Sequence, residues 1–251
     1  MDQISARLSY APNKQFKSDS ARLAFLVWVK FSVSSGQIRC RGRVLHTLIG
    51  RYAFYRKLTW RLIVMGKQFS ELSDKLIEFI GQQKIYFVAT AAESGSVNLS
   101  PKGGDSLRVI NSKQIAWLNL TGSGNESASH VIQNPRMTVM FCAFEGSPLI
   151  LRAYGKATVL HSQDDSWGKY APLFPESVAA RQIFVLDVDL VQSSCGMSVP
   201  YFTYEGDRED LANWSEKQGT EGIEKYWLKK NQKSIDGFET EIAKRSGLDV
   251  E

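Results

Sequence analysis

Seven short runs rich in β-forming residues crowd residues 84–192, and nothing else in the chain restricts its fold as much. They read KIYFVATAA, SVNLS, SLRVI, QIAWLNL, RMTVMFCAF, LILRAYGKATVLH and RQIFVLDVDLVQ, with Gly, Ser, Asn and Pro between them. Helical character interrupts the series twice, at NESASHVIQN between the fourth and fifth runs and around DDSWGKYAPLF. Parallel neighbours need long crossovers, so strands that follow one another with few helices between them pair antiparallel. The expected domain is mainly β, a barrel or sandwich on an antiparallel sheet with peripheral helices. No stretch of about 20–50 residues repeats, which sets aside solenoids and propellers.

The flanks read differently. In MGKQFSELSDKLIEFIG, Ser70 is placed as a helix N-cap, Leu72, Leu76, Phe79 and Ile80 recur at helical spacing, and Gly81 follows as a stop. Beyond Pro200, Leu211, Trp214, Ile223, Tyr226 and Trp227 mark helical faces among many charges. The chain thus divides into an extension over 1–64, a β-domain over 65–200 and a helical tail over 201–251 packed on the barrel.

Charge follows the same division. Residues 1–64 hold 12 Lys and Arg against 2 Asp and Glu, and the rest of the chain holds 19 against 24. The body is acidic, which argues against nucleic acid despite a sequence pI near 9.0. The extension is Arg-rich, Ser-containing and acid-poor like an organellar transit peptide, and its apolar run from Leu23 to Val29 weakly resembles a signal h-region. That run is far short of the roughly 20 residues that span a bilayer, so no membrane segment is expected. The favoured reading takes Met65 as the true start, because composition changes abruptly there. Residues 1–64 are then disordered or not native, and the protein is cytoplasmic.

The informative window is SPKGGDSLRVINSKQIAWLNLTGSGNESASHVIQNPRMTVMF, from Ser100 to Phe141. A strand ends in TGSGNES and leads straight into a helix stopped by Asn134 and Pro135. A Gly-rich turn at a helix N-terminus presents backbone N–H groups and a positive dipole end, which suit a phosphate. Thr121, Ser123, Asn125 and Ser127 add short polar side chains at the same place. Local chemistry alone leaves a plainer reading open, in which Gly122 and Gly124 only form a turn and Asn125 only caps the helix.

Taken together, SPKGGD, TGSGNES followed by NPRMTVMF, and LRAYGKA are similar in order and spacing to the FMN-binding split-barrel proteins related to pyridoxamine 5′-phosphate oxidase. The likeness runs from about Ile85 to Val191, and VQSSCGMSVPYF with a charged helical tail looks like one uncharacterised subgroup. The resemblance implies an antiparallel split β-barrel that works as a homodimer with FMN at the interface. It implies an isoalloxazine ring across the barrel surface and a phosphate held by Ser100, Pro101 and Lys102 on one strand and by Thr121, Gly122, Ser123, Gly124, Asn125 and Ser127 in the loop. Lys102 would supply the charge, and Arg152 matches a position where the family places a basic side chain. The resemblance leaves haem or a deazaflavin as alternatives to FMN within this class. Where the oxidases carry basic residues in the phosphate loop, this chain has Asn125, Glu126 and Ser127, and no counterpart of their closing Trp- and Arg-containing segment is found after Pro200. Oxidation of pyridoxamine phosphate is therefore not expected.

Other chemistries have little support. There is no GxSxG elbow, and His130 and His161 are read as structural or solvent-facing. Asp187 and Asp189 alternate along a strand as a polar outer face would. Cys40, Cys142 and Cys195 show no CxxC pair and no metal-ligand spacing, and no metal is expected. Cys142 is read as a small buried hydrophobe and Cys195 as a loop thiol. Two functions remain: an FMN-dependent oxidoreductase acting on a small organic substrate, and a flavin-binding module without turnover that stores, senses or binds a partner. The flavin ring performs the redox chemistry in such proteins, so a scarcity of acid–base residues fits both.

Overall fold

A computed structural model of the chain describes residues 66–248 and, as backbone alone, 30–34 and 37–41. These fall into two compact units, divided between Thr59 and Trp60. In the first, β1 (Lys30–Ser34) and β2 (Gln37–Arg41) form an antiparallel hairpin with Lys30 opposite Arg41. The rest of the extension, including any targeting signal and the start at Met65, lies outside the described residues.

The second unit is an eight-stranded antiparallel sheet. Its strands are β3 (Lys67–Phe69), β4 (Ile85–Ala91), β5 (Val97–Gly103), β6 (Leu107–Asn111), β7 (Gln114–Leu120), β8 (Arg136–Cys142), β9 (Ile150–Leu160) and β10 (Ala180–Ser194). The order is β5-β4-β8-β9-β10-β7-β6, with β3 added to β10. All seven β-rich runs are strands. The sheet curls into a half-barrel whose edges, β5 and β6, follow one another in sequence without pairing, and this is the split expected of the fold.

Alternation sets which side chains line the inside of the curl. Tyr86, Val88 and Thr90 of β4 turn inward while Ile85, Phe87, Ala89 and Ala91 turn outward. β7 is buried on both faces because it separates two cores. Ile115 and Trp117 join the barrel interior with Val139, Phe184 and Leu186, and Trp117 stacks on Phe184 at 4.7 Å between ring centroids. Ala116 and Leu118 face a second core with Ile183, Val185, Tyr170 and Phe174. That core lies under α3 (Trp167–Tyr170) and a 3-10 turn at Ala171–Leu173, the second helical interruption read from sequence.

The first helix differs from expectation. Residues 67–69 are strand, with Phe69 opposite Val191, and α1 (Asp74–Gln82) starts after Ser73 and runs through Gly81. The cause is tertiary. β10 pairs with β7 only up to Asp187, and β3 fills the edge left at Val191–Ser193. α2 (Glu126–Gln133) packs on the barrel core through Ala128 and Val131. The tail forms α4 (Asp210–Lys230), broken at Gly219 by φ of 64°, and α5 (Ile242–Arg245); Ile223, Trp227 and Ile242 make a third small core.

Candidate functional site

β5 presents Asn98, Ser100 and Lys102 toward the barrel interior, opposite Thr90, Val88 and Tyr86 of β4. Ser100 Oγ donates to Asn98 Oδ1 at 3.2 Å, and Asn98 Nδ2 donates to Ser127 Oγ at 3.0 Å. Thr90 Oγ1 lies 3.1 Å from His130 Nδ1 beneath this pair. Hydroxyl and amide groups thus fasten the edge strand to the first turn of α2. Lys102 crosses the split, where its Nζ donates to Asn119 Oδ1 of β7 at 3.0 Å. Among the described residues no carboxylate lies within ion-pairing distance of that ammonium. Burial, helped by the nearby Arg181 charge, lowers the Lys102 pKa to about 8, against the pull of Glu126. A half-buried lysine held by one neutral oxygen retains donors and a poorly compensated charge, and it can accept an anion.

The Gly-rich loop has a committed side. Arg181, 4% exposed, is the extra residue of a β-bulge in β10, and the bulge aims it beneath the loop. Its NH1 donates to the carbonyls of Gly122 (3.4 Å) and Gly124 (3.0 Å) and to Asn231 Oδ1 (2.8 Å). Asn231 Nδ2 donates to Gly122 O, Asn125 Nδ2 donates to Asn231 O, and Trp227 Nε1 donates to Thr121 Oγ1. Trans peptide planes set N–H opposite C=O, so the N–H groups of Ser123 and Asn125 point away from Arg181. Neither Gly122 nor Gly124 takes a positive φ. A Cβ on Gly124 would strike the Glu126 carboxylate, which folds back over the loop near the positive end of α2.

The structure therefore sorts the residues expected to hold a phosphate. Ser100 and Lys102 share the inner face of β5, and Ser127 is tied to that face through Asn98, with Ser123 and Gly122 exposed at the loop tip. Thr121 and Asn125, 3% and 2% exposed, are spent on the C-terminal segment. Asn125 does not cap α2 with its side chain. Pro101 and Arg152 occupy the opposite sheet face, linked by the register Pro101–Phe87–Met140–Arg152, and Arg152 NH1 donates to Ser194 Oγ at 3.1 Å. Sequence reading missed Arg181, Asn119, Gln182, Trp227 and Asn231. The available signal was polar residues set in apolar runs, RQ before IFVL and N inside WLNL.

Two clefts of about 440 and 240 Å³ lie elsewhere, the first between Ser177 and α4 and the second around Lys84, Tyr86, Asp105 and Tyr204. None of the expected phosphate ligands lines either. His130 and His161 are both buried, Asp187 and Asp189 are exposed on the outer face, Cys142 is buried and Cys195 exposed. Among the described residues no cluster of three metal-ligating side chains occurs, and no helix is long and apolar enough to cross a membrane.

Fold and side chains together define an antiparallel split-barrel protein in which a lysine of one edge strand reaches β7. A profile for pyridoxamine 5′-phosphate oxidase matches residues 72–195. The chain is 32% identical over 188 residues to the pyridoxamine 5′-phosphate oxidase family protein ustO of Aspergillus flavus, covering 68% of this chain and 76% of that protein. The chain belongs to the pyridoxamine 5′-phosphate oxidase family. Among solved structures it is similar to a pyridoxamine 5′-phosphate oxidase-related, FMN-binding protein of Nostoc punctiforme (16% identity, TM-score 0.33, 44% of this chain and 73% of that one). It is also similar to an FAD-binding protein of Mycobacterium smegmatis (14% identity, TM-score 0.36, 51% and 99%).

Proposed function

We propose that the chain binds FMN as a homodimer and acts as a flavin-dependent oxidoreductase on a small organic substrate. The observation that carries this reading is Lys102, a half-buried cation without a carboxylate partner among the described residues, on the same inner face of β5 as Ser100 and as Asn98, which holds Ser127 of α2. That donor set suits the terminal phosphate of a flavin mononucleotide, with Lys102 as charge and Ser100 and Ser127 as hydroxyl partners. The Glu126 side chain, folded over Gly124, turns outward in the loaded form. The flavin supplies hydride transfer when bound, and the chain's residues bind, orient and shield it.

A site at an interface is an open groove in one chain, in keeping with the absence of the expected ligands from both clefts. β5 is an edge strand with Val97 and Leu99 exposed at 75% and 62%, a face that a second copy would cover. Arg152, on the face opposite Lys102, then meets the cofactor across that interface. The alternative, flavin binding without turnover, is favoured by the burial of His130 (1%) and His161 (0%), which denies both to a substrate proton. Steady-state reoxidation of reduced flavin by an added acceptor separates the two. For the site itself, Lys102→Ala should weaken FMN about 10- to 100-fold and leave riboflavin, which lacks the phosphate, nearly unchanged. Equal effects on both ligands would remove the phosphate from Lys102. Sedimentation of the loaded protein as a monomer would end the dimer reading.

A further inference from the structure

Behind Lys102 runs a buried chain of side chains that reaches the C-terminal helix. Lys102 Nζ donates to Asn119 Oδ1 (3.0 Å), Asn119 Nδ2 donates to Gln182 Oε1 (3.0 Å), and Gln182 Nε2 lies 3.0 Å from His161 Nε2. Asn119 and Gln182 are also register partners on β7 and β10, so the backbone holds their side chains in reach. Asn119, Gln182 and His161 are all buried. On the far side of the ring, His161 Nδ1 makes no hydrogen bond, and Asp164 Oδ2 lies 3.8 Å from it; that carboxylate accepts from the His161 backbone N–H and is paired with Arg245 of α5.

Each primary amide has one donating and one accepting end, so orientation passes from one to the next without slack. The Asp164 carboxylate favours a proton on His161 Nδ1, which leaves Nε2 bare as an acceptor. A bare Nε2 requires the NH2 of Gln182 to face it, so Gln182 Oε1 faces Asn119. Asn119 must then turn its NH2 to Gln182 and its oxygen to Lys102. With the proton on Nε2 instead, every amide would reverse and an NH2 would confront the ammonium. We propose that Asn119, Gln182 and His161, anchored by Asp164 and Arg245, are positioning residues that hold an oxygen against Lys102 and so fix the lysine for an anionic ligand. This rests on Lys102 as the phosphate partner. The ring is neutral under ordinary conditions, because burial, aided by Arg245 and Arg181 and opposed by Asp164, lowers its pKa to about 4.

The test needs no variant at first. A long-range 1H–15N spectrum of the full chain should show His161 as the Nδ1–H tautomer, and an Nε2–H tautomer would overturn the proposal. Gln182→Met, close in volume, should then lower the ratio of FMN to riboflavin affinity about tenfold. Lys102→Ala is measured alongside as the reference. If Lys102→Ala abolishes the preference for FMN and Gln182→Met leaves it intact, the positioning chain is wrong and the phosphate site stands. If Lys102→Ala changes nothing, the phosphate site itself is wrong.

Discussion

Two polar networks start on the inner face of β5 and are built of different parts. The one that begins at Lys102 consists of amides and an imidazole whose donor and acceptor ends are matched, and it ends at His161, with the Asp164–Arg245 pair 3.8 Å beyond the ring. The one that begins at Ser100 passes through the hydroxyls of Ser127 and Thr90 by way of Asn98 to His130, whose Nε2, like His161 Nδ1 in the first, makes no hydrogen bond. Hydroxyl protons rotate to suit a neighbour, whereas amide ends do not exchange without a flip. A single groove therefore pairs a cation of fixed position with hydroxyls that adapt, a division that suits a ligand whose charged end is constant and whose surroundings vary.

The largest effect that can break this contrast is acid. His161 titrates lower in the fold than in the open chain, so the unfolded state takes up the proton first between pH 6.5 and about 4. The His161 contribution is complete above pH 6.5, and stability should fall by about 3 kcal/mol as pH drops through that window. Urea titrations of the parent and of His161→Gln should differ in slope there, and identical slopes would mean the amide network has no such anchor. Next in size is Arg181→Met, which strands the carbonyls of Gly122 and Gly124. It should cost about 2–3 kcal/mol in unfolding free energy.

Alkali probes the fixed network from its other end. The Lys102 pKa of about 8 lies below the ordinary value of 10.5, so the unfolded chain again holds the extra proton, now between pH 8 and 10.5. Stability should rise through that window by about 1–2 kcal/mol, discounted for partial exposure, and Lys102→Met should remove the rise. The smallest change expected is in the adaptable network. Ser127→Ala should cost only about 0.5–1 kcal/mol, since Asn98 and Thr90 can turn to other partners. A loss above the roughly 3 kcal/mol tied to His161 would reverse the ranking of the two networks.

The strands were legible because their signal is local. Each of the seven runs carries β-branched residues, five of them aromatic residues as well, each has Gly, Ser, Asn or Pro within two residues of its end, and each is a strand. Lys102 was legible for a related reason, as a lysine between Pro101 and Gly103 has no local task. The strand at Lys67–Phe69 was hidden because it exists to pair with Val191–Ser193, more than a hundred residues away. Arg181 and Asn231 were hidden similarly. A bulge and a latch between distant segments leave no periodicity, only a charge in an apolar run and an asparagine after a helix.

The bond from Asn125 to Asn231 joins residues 106 positions apart. At about 5–20 residues per second of synthesis, roughly 5–20 s separate their production. For that interval a nascent chain carries its glycine-rich turn unfastened, within reach of proteases and chaperones. A ribosome stalled in the tail would prolong it, and the turn is secured only after Asn231 has left the exit tunnel.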